Sequence, residues 1–222
     1  MAPQPASDLK MPEEIQRLPG LSKPPMRKNP PRFLVIGAGS RGHAYAKNIA
    51  PHTNGVLAAV CDPLHFARKD MGEKYIWTGR QPLSHEQFDD WTDFVKYEEG
   101  RRARASEVED VEPGVDGVFI CVQDELHMAV ILGLKHLDLH IMCEKPLATN
   151  LDDCVKILKS VMPEDGSGVT KKIFSIGHVL RYSPHNMLLR KLLLDDRVIG
   201  DILSINHTEP VGWWHFAHSY VR

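Results

Sequence analysis

Short apolar runs recur along the chain: Phe33-Leu34-Val35-Ile36, Val56-Leu57-Ala58-Ala59-Val60, Gly117-Val118-Phe119-Ile120-Cys121-Val122 and His140-Ile141-Met142-Cys143. Continuous apolar runs of this length predict strands buried on both faces. Between them lie stretches with helical spacing or composition. Arg41–Ala50 is rich in helix formers and Leu64–Tyr75 continues in the same way. Phe88, Trp91, Phe94 and Val95 share one helical face. Glu125–Leu137 reads as a helix, and Asn150–Met162 places Leu151, Cys154, Val155 and Leu158 on one side. Arg101–Glu112 is charged and polar and predicts an exposed loop or helix end. Beyond a Gly-rich loop at 163–170, a strand is expected over Lys172–His178, a helix over Pro184–Asp195 and a strand over Ile202–His207. Strands and helices that alternate in this way predict an α/β fold, a doubly wound parallel sheet with helices on both faces.

Composition narrows the class. A length of 222 residues suits one domain and part of a second, at roughly 100–200 residues per domain. A net charge of −2, with no basic stripe carrying interleaved aromatics, argues against nucleic acid as a direct ligand. No apolar run is long enough to span a membrane, and the N-terminus has neither a signal-like apolar stretch nor an acid-free presequence. Cys61, Cys121, Cys143 and Cys154 have no metal-like or disulfide-like spacing, which points to a reducing, cytoplasmic compartment. His207, His215 and His218 lack the spacing of a ligand set, so no metal site is expected. Residues 1–31 are proline-rich and aperiodic and read as a flexible tail.

The segment after the first strand carries the chemistry. Gly37, Gly39 and Gly42 form G-x-G-x-x-G between a buried strand and a helix, the context that makes this pattern informative. Gly37 permits the tight turn, Gly39 lets backbone approach a pyrophosphate, and Gly42 lets the helix pack close to the strand. The amides of the first turn, at Ser40, Arg41 and Gly42, would face the phosphates with the positive end of the helix dipole. Asp62 follows the second strand, 20 residues after Gly42, where a carboxylate accepts ribose hydroxyls and repels a 2′-phosphate. The expected cofactor is therefore NAD in preference to NADP, with Arg41 and Arg68 as positive charges that would soften the preference.

Glu144-Lys145-Pro146 follows the strand His140–Cys143, at the ligand edge of such a sheet. There the Lys145 ammonium can reach a substrate hydroxyl or the nicotinamide ribose and assist proton movement. A solvated lysine at a turn is the other reading of the same residues.

These blocks, with Ala59-Val60-Cys61-Asp62, Glu125-Leu126-His127, Gly133-Leu134-Lys135 and Cys143-Glu144-Lys145-Pro146-Leu147-Ala148, resemble the glucose–fructose oxidoreductase, inositol 2-dehydrogenase and rhizopine-catabolism (Gfo/Idh/MocA) family from about Pro31 to Ile205. The resemblance implies a Rossmann-type domain over 32–165. It also implies the start of a second α/β domain, with a mostly antiparallel sheet, over 166–222. It implies NAD(P)-dependent oxidation or reduction of a sugar- or polyol-like substrate, with Glu144 and Lys145 at the nicotinamide end and His127 beside the cofactor. Homo-oligomers are common in the family. The family's usual histidine block of the second domain has no counterpart before Arg222. A non-catalytic dinucleotide-binding regulator, or an inactive fragment on the same fold, is therefore the alternative expectation.

Overall fold

The computed structural model describes residues 28–107, 111–162 and 172–219; the expected N-terminal tail and the Gly-rich loop fall almost wholly outside them. The first unit runs to Val179 and the second from Leu180.

In the first unit β1 (Arg32–Ile36), α1 (Ser40–His52), β2 (Val56–Cys61), α2 (His65–Tyr75), β3 (Gln87–Phe88), α3 (Trp91–Glu107), β4 (Gly117–Ile120), α4 (His127–Leu134), β5 (His140–Cys143), α5 (Leu151–Val161) and β6 (Phe174–Ile176) follow in order. The six strands form one sheet in the order β3-β2-β1-β4-β5-β6, every neighbouring pair parallel. Strand order reverses between β1 and β4. The crevice outside their carboxyl ends is where such sheets take ligands.

Period-2 alternation divides the core. Leu34 and Ile36 of β1 pack with Val118, Ile120 and Ile141 against Phe94, Val130, Ile131, Leu134 and Ile157 of the helices on one face. Val35 and Val60 pack with Ala46, Ile49 and Met71 on the other. Each buried Leu or Ile contributes about 1.5–3 kcal/mol, so the sheet's ligand edge rests on a rigid base.

α3 is longer than its apolar spacing suggested. The Asp90 carboxylate accepts the Thr92 amide at 2.8 Å at the helix start. The charged stretch stays helical to Glu107 because its charges are paired. The Glu98 carboxylate, 1% exposed, meets Arg101 at 2.6 Å and Arg102 at 2.7 Å. Arg102 also donates to the Leu137 carbonyl at 2.6 Å. Burial raises the Glu98 carboxyl, but the two guanidinium groups outweigh it and hold it below the ordinary carboxylate range. Stability from this cluster is therefore complete above that range and lost as pH falls through the depressed value. Glu98→Gln is expected to cost about 3 kcal/mol or more at neutral pH, since it leaves two arginines facing a neutral amide. Denaturant midpoints at pH 7 and pH 3 should converge in the variant; a variant as stable as the parent at pH 7 refutes this.

Two expectations need correction. The strand over 172–178 was expected to open the second domain. It is instead β6, the sixth strand of the first sheet, with Ile141 opposite Phe174 and Cys143 opposite Ile176. Apolar content predicts a strand but does not say which sheet receives it. The second unit contains a helix over Pro184–Arg190, a π-helical turn over Lys191–Asp195 and a helix over Trp213–Ser219. Residues 202–207 form no strand, and no antiparallel sheet exists among the described residues of this unit. A single strand without a neighbour leaves its amides and carbonyls unpaired, so the apolar pattern alone does not hold it extended.

Candidate functional site

The loop between β1 and α1 is built by its glycines. Gly37 has φ +98°, and a Cβ there would stand 2.5 Å from the Cys121 carbonyl oxygen and 2.9 Å from the Val122 nitrogen. The turn after β1 therefore presses on the turn after β4, at the point where strand order reverses. A Cβ on Gly42 would overlap the Gly37 carbonyl, so α1 can start where it does only because that atom is missing. A Cβ on Gly39 would meet nothing within 4 Å. Gly39 is the N-cap of α1, makes no side-chain cap, and is followed by the exposed Ser40 and Arg41 with no acid in the first turn. The result is an open cradle with uncapped amides and a positive dipole end, suited to a pyrophosphate.

Asp62 faces this loop. Its Oδ2 accepts the Ala38 amide at 2.8 Å and its Oδ1 accepts the Leu64 amide at 2.9 Å. Two backbone donors orient the carboxylate and leave each oxygen a lone pair for ribose hydroxyls. Arg68, expected as a free positive charge, is committed elsewhere. It donates to the Asp62 carbonyl at 2.6 Å and pairs with Asp89 at 2.6 Å, with a side chain only 7% exposed. Arg41 stands 3.4 Å from Glu144. Arg68 is not free to reward a 2′-phosphate, whereas Arg41, with its side chain 48% exposed, is held only by this long contact.

Glu144 and Lys145 diverge. The Glu144 carboxylate turns inward and is buried. Its Oε1 accepts the Tyr45 hydroxyl at 2.5 Å and its Oε2 accepts the Lys145 amide at 3.3 Å. The Lys145 side chain is exposed, and its peptide bond to Pro146 is cis. His127 is fully buried, where the resemblance implied a ring beside the cofactor. Its Nδ1 lies 2.7 Å from the Pro146 carbonyl and its Nε2 3.2 Å from the Val122 carbonyl. The ring has no exposed atom in this structure. His127 ties the turn after β4 to the turn after β5 instead.

Tyr45 was not singled out from the sequence. It sits on α1 one turn beyond Arg41, with its ring stacked on Phe119 at 5.1 Å. Burial, then the hydrogen bond to Glu144 and that group's charge, raise its hydroxyl well above the ordinary value, so it remains a donor. Burial likewise pushes the Cys143 thiol up to about 12 and raises Cys61 and Cys121 further. These cysteines are thiols at neutral pH and poor nucleophiles. Among the described residues no helix is long and apolar enough to cross a membrane.

Residues 31–166 match the Gfo/Idh/MocA family, described as an oxidoreductase family with an NAD-binding Rossmann fold. The 2,7-anhydro-N-acetylneuraminate hydratase of Escherichia coli is 34% identical over 99 residues, 45% of this chain and 24% of that protein. The inositol 2-dehydrogenase of Rhizobium meliloti is 24% identical over 180 residues, 80% of this chain and 44% of that protein. A crystal structure of myo-inositol dehydrogenase from Lactobacillus casei, in complex with NAD(H) and myo-inositol, superposes with TM-score 0.58 at 24% identity, covering 78% of this chain and 43% of the other. The same organism's scyllo-inositol dehydrogenase, with bound NAD(H) and scyllo-inositol, gives TM-score 0.59 at 20% identity over 78% and 43%. The chain thus spans less than half the length of these relatives.

Proposed function

We propose, because this chain belongs to the Gfo/Idh/MocA oxidoreductase family, that it serves oxidation or reduction of a sugar- or polyol-like substrate, using NAD(H) held at the start of α1. The observation that carries the reading is the cradle itself: three glycines, two closed against backbone and one open, facing an oriented Asp62. When bound, the dinucleotide exchanges hydride with a carbinol or carbonyl carbon. The protein supplies position and charge. The amides of α1 hold the phosphates and Asp62 accepts the ribose hydroxyls. Lys145, exposed at the carboxyl edge of the sheet, polarises the reacting oxygen or takes its proton. The names of the inositol dehydrogenases support a cyclic polyol or sugar as the substrate class.

A cytoplasmic setting is part of the same reading, supported by four free cysteines. Self-association belongs to it as well. The second unit exposes Leu203, Ile205 and Trp213 at 75% or more, apolar surface that asks for a partner.

Calorimetric titration of the chain with NAD and NADP tests the proposal. NAD is expected to bind more tightly, since Asp62 repels a 2′-phosphate and Arg68 is committed to Asp89. Asp62→Asn keeps an acceptor for the Ala38 amide but removes the charge. It should narrow the preference about tenfold, the low end of a like-charge penalty. Folded protein that retains neither dinucleotide would end the reading.

A further inference from the structure

We infer that Tyr45 is a positioning residue for Lys145, acting through the Glu144 carboxylate; the inference rests on the dinucleotide reading above. Glu144 is only 4% exposed, so its carboxylate is held almost entirely by protein partners. A buried carboxylate persists only where its lone pairs are taken, and here the partners come from two different parts of the site. The Tyr45 hydroxyl donates to Oε1 at 2.5 Å and the Arg41 Nε lies 3.4 Å from the same oxygen. Both residues belong to α1, the helix whose first turn is the phosphate cradle. The Lys145 amide donates to Oε2 at 3.3 Å. Gly177, directly after β6, closes the box: a Cβ there would stand 2.8 Å from Oε1 and 3.1 Å from the Tyr45 hydroxyl oxygen.

The carboxylate is therefore a strut between the phosphate helix and the lysine turn. Tyr45 is the fixed end of that strut, because its ring is held against Phe119 of β4. Arg41 is half exposed and held less firmly. Without the tyrosine hydroxyl, Oε1 keeps only Arg41. The carboxylate then follows that half-exposed side chain and carries the Lys145 amide with it. The lysine loses its set distance from the nicotinamide end, while the adenosine end, held by Asp62 and the glycine loop, is untouched.

Tyr45→Phe removes one oxygen and keeps the ring. The test uses two probes on the whole chain, ADP-ribose, which lacks nicotinamide, and NADH, with Lys145→Ala and the double variant alongside. ADP-ribose binding also reports that each variant is folded. Tyr45→Phe is expected to weaken NADH about fivefold, within the range for residues coupled in one network, and to leave ADP-ribose within about twofold. In the Lys145→Ala background the same change should cost NADH less than about twofold, since the strut then has nothing to place. Equal weakening of both probes would put the role of Tyr45 in α1 alone and overturn the inference. So would an unchanged NADH affinity, or effects of the two substitutions that simply add. Parent protein that binds neither probe overturns the dinucleotide reading itself, a different result from parent binding with an indifferent Tyr45→Phe.

Discussion

Gly37→Val is expected to destabilise the first unit by about 3 kcal/mol or more and to abolish binding of NADH and ADP-ribose together. Two costs combine. The residue sits at φ +98°, where a branched side chain is strained by about 1–3 kcal/mol. Its Cβ would also stand 2.5 Å and 2.6 Å from the Cys121 carbonyl oxygen and carbon. Those atoms are backbone, so no rotamer change relieves the overlap, and the turns after β1 and β4 must part. The Gly37 amide also donates to the Cys61 carbonyl at 2.8 Å, so the displacement would reach the end of β2 and the approach to Asp62. Urea midpoints and calorimetry read the two losses. Gly39→Ala is the informative contrast. Its Cβ enters open space, so stability should stay within about 1 kcal/mol of the parent. Binding should still fall, because the methyl would occupy the space reserved for the pyrophosphate. A Gly39→Ala protein that binds like its parent would place the phosphates elsewhere.

The contrast shows which parts of the site can be read along the chain. The glycine loop and Asp62 are legible because each acts through its own backbone and its immediate neighbours. A strand, a G-x-G-x-x-G and an acid at fixed spacing describe almost the whole proposed adenosine end. The proposed nicotinamide end is assembled from distant residues. Tyr45 and Glu144 are 99 positions apart, and nothing in the helix around Tyr45 marks its hydroxyl as a donor to a buried acid. His127 looks like an exposed residue at a helix start, yet two carbonyls from flanking turns enclose it. Glu144 and Lys145 are adjacent in sequence and resemble a catalytic pair, but a residue after a strand can turn inward while the next turns out. The destination of β6 was hidden for a similar reason. Phe174-Ser175-Ile176 pairs with β5 across α5 and a long stretch of sequence, and pairing over such a distance leaves no local mark.

Lys145→Ala should lower kcat in a polyol dehydrogenase assay by about 10²–10⁴-fold, the usual contribution of a positioned acid–base group. The residue suits this role through the company it keeps. Its amide is anchored on Glu144, and the turn is pinned on its other side by His127 at the Pro146 carbonyl. Its own side chain is exposed and takes part in no ion pair among the described residues. A long side chain on a fixed backbone can be aimed without being locked. The loss should therefore appear in turnover far more than in cofactor retention, with ADP-ribose affinity unchanged and NADH affinity reduced by no more than about tenfold, as for one hydrogen bond. Substituting His127 with Ala would loosen the turn rather than remove the ammonium, so its loss should be smaller and accompanied by a raised KM. If Lys145→Ala retained most of its activity, the proton would have to move through another group. The exposed lysine would then be a solvated residue at a turn.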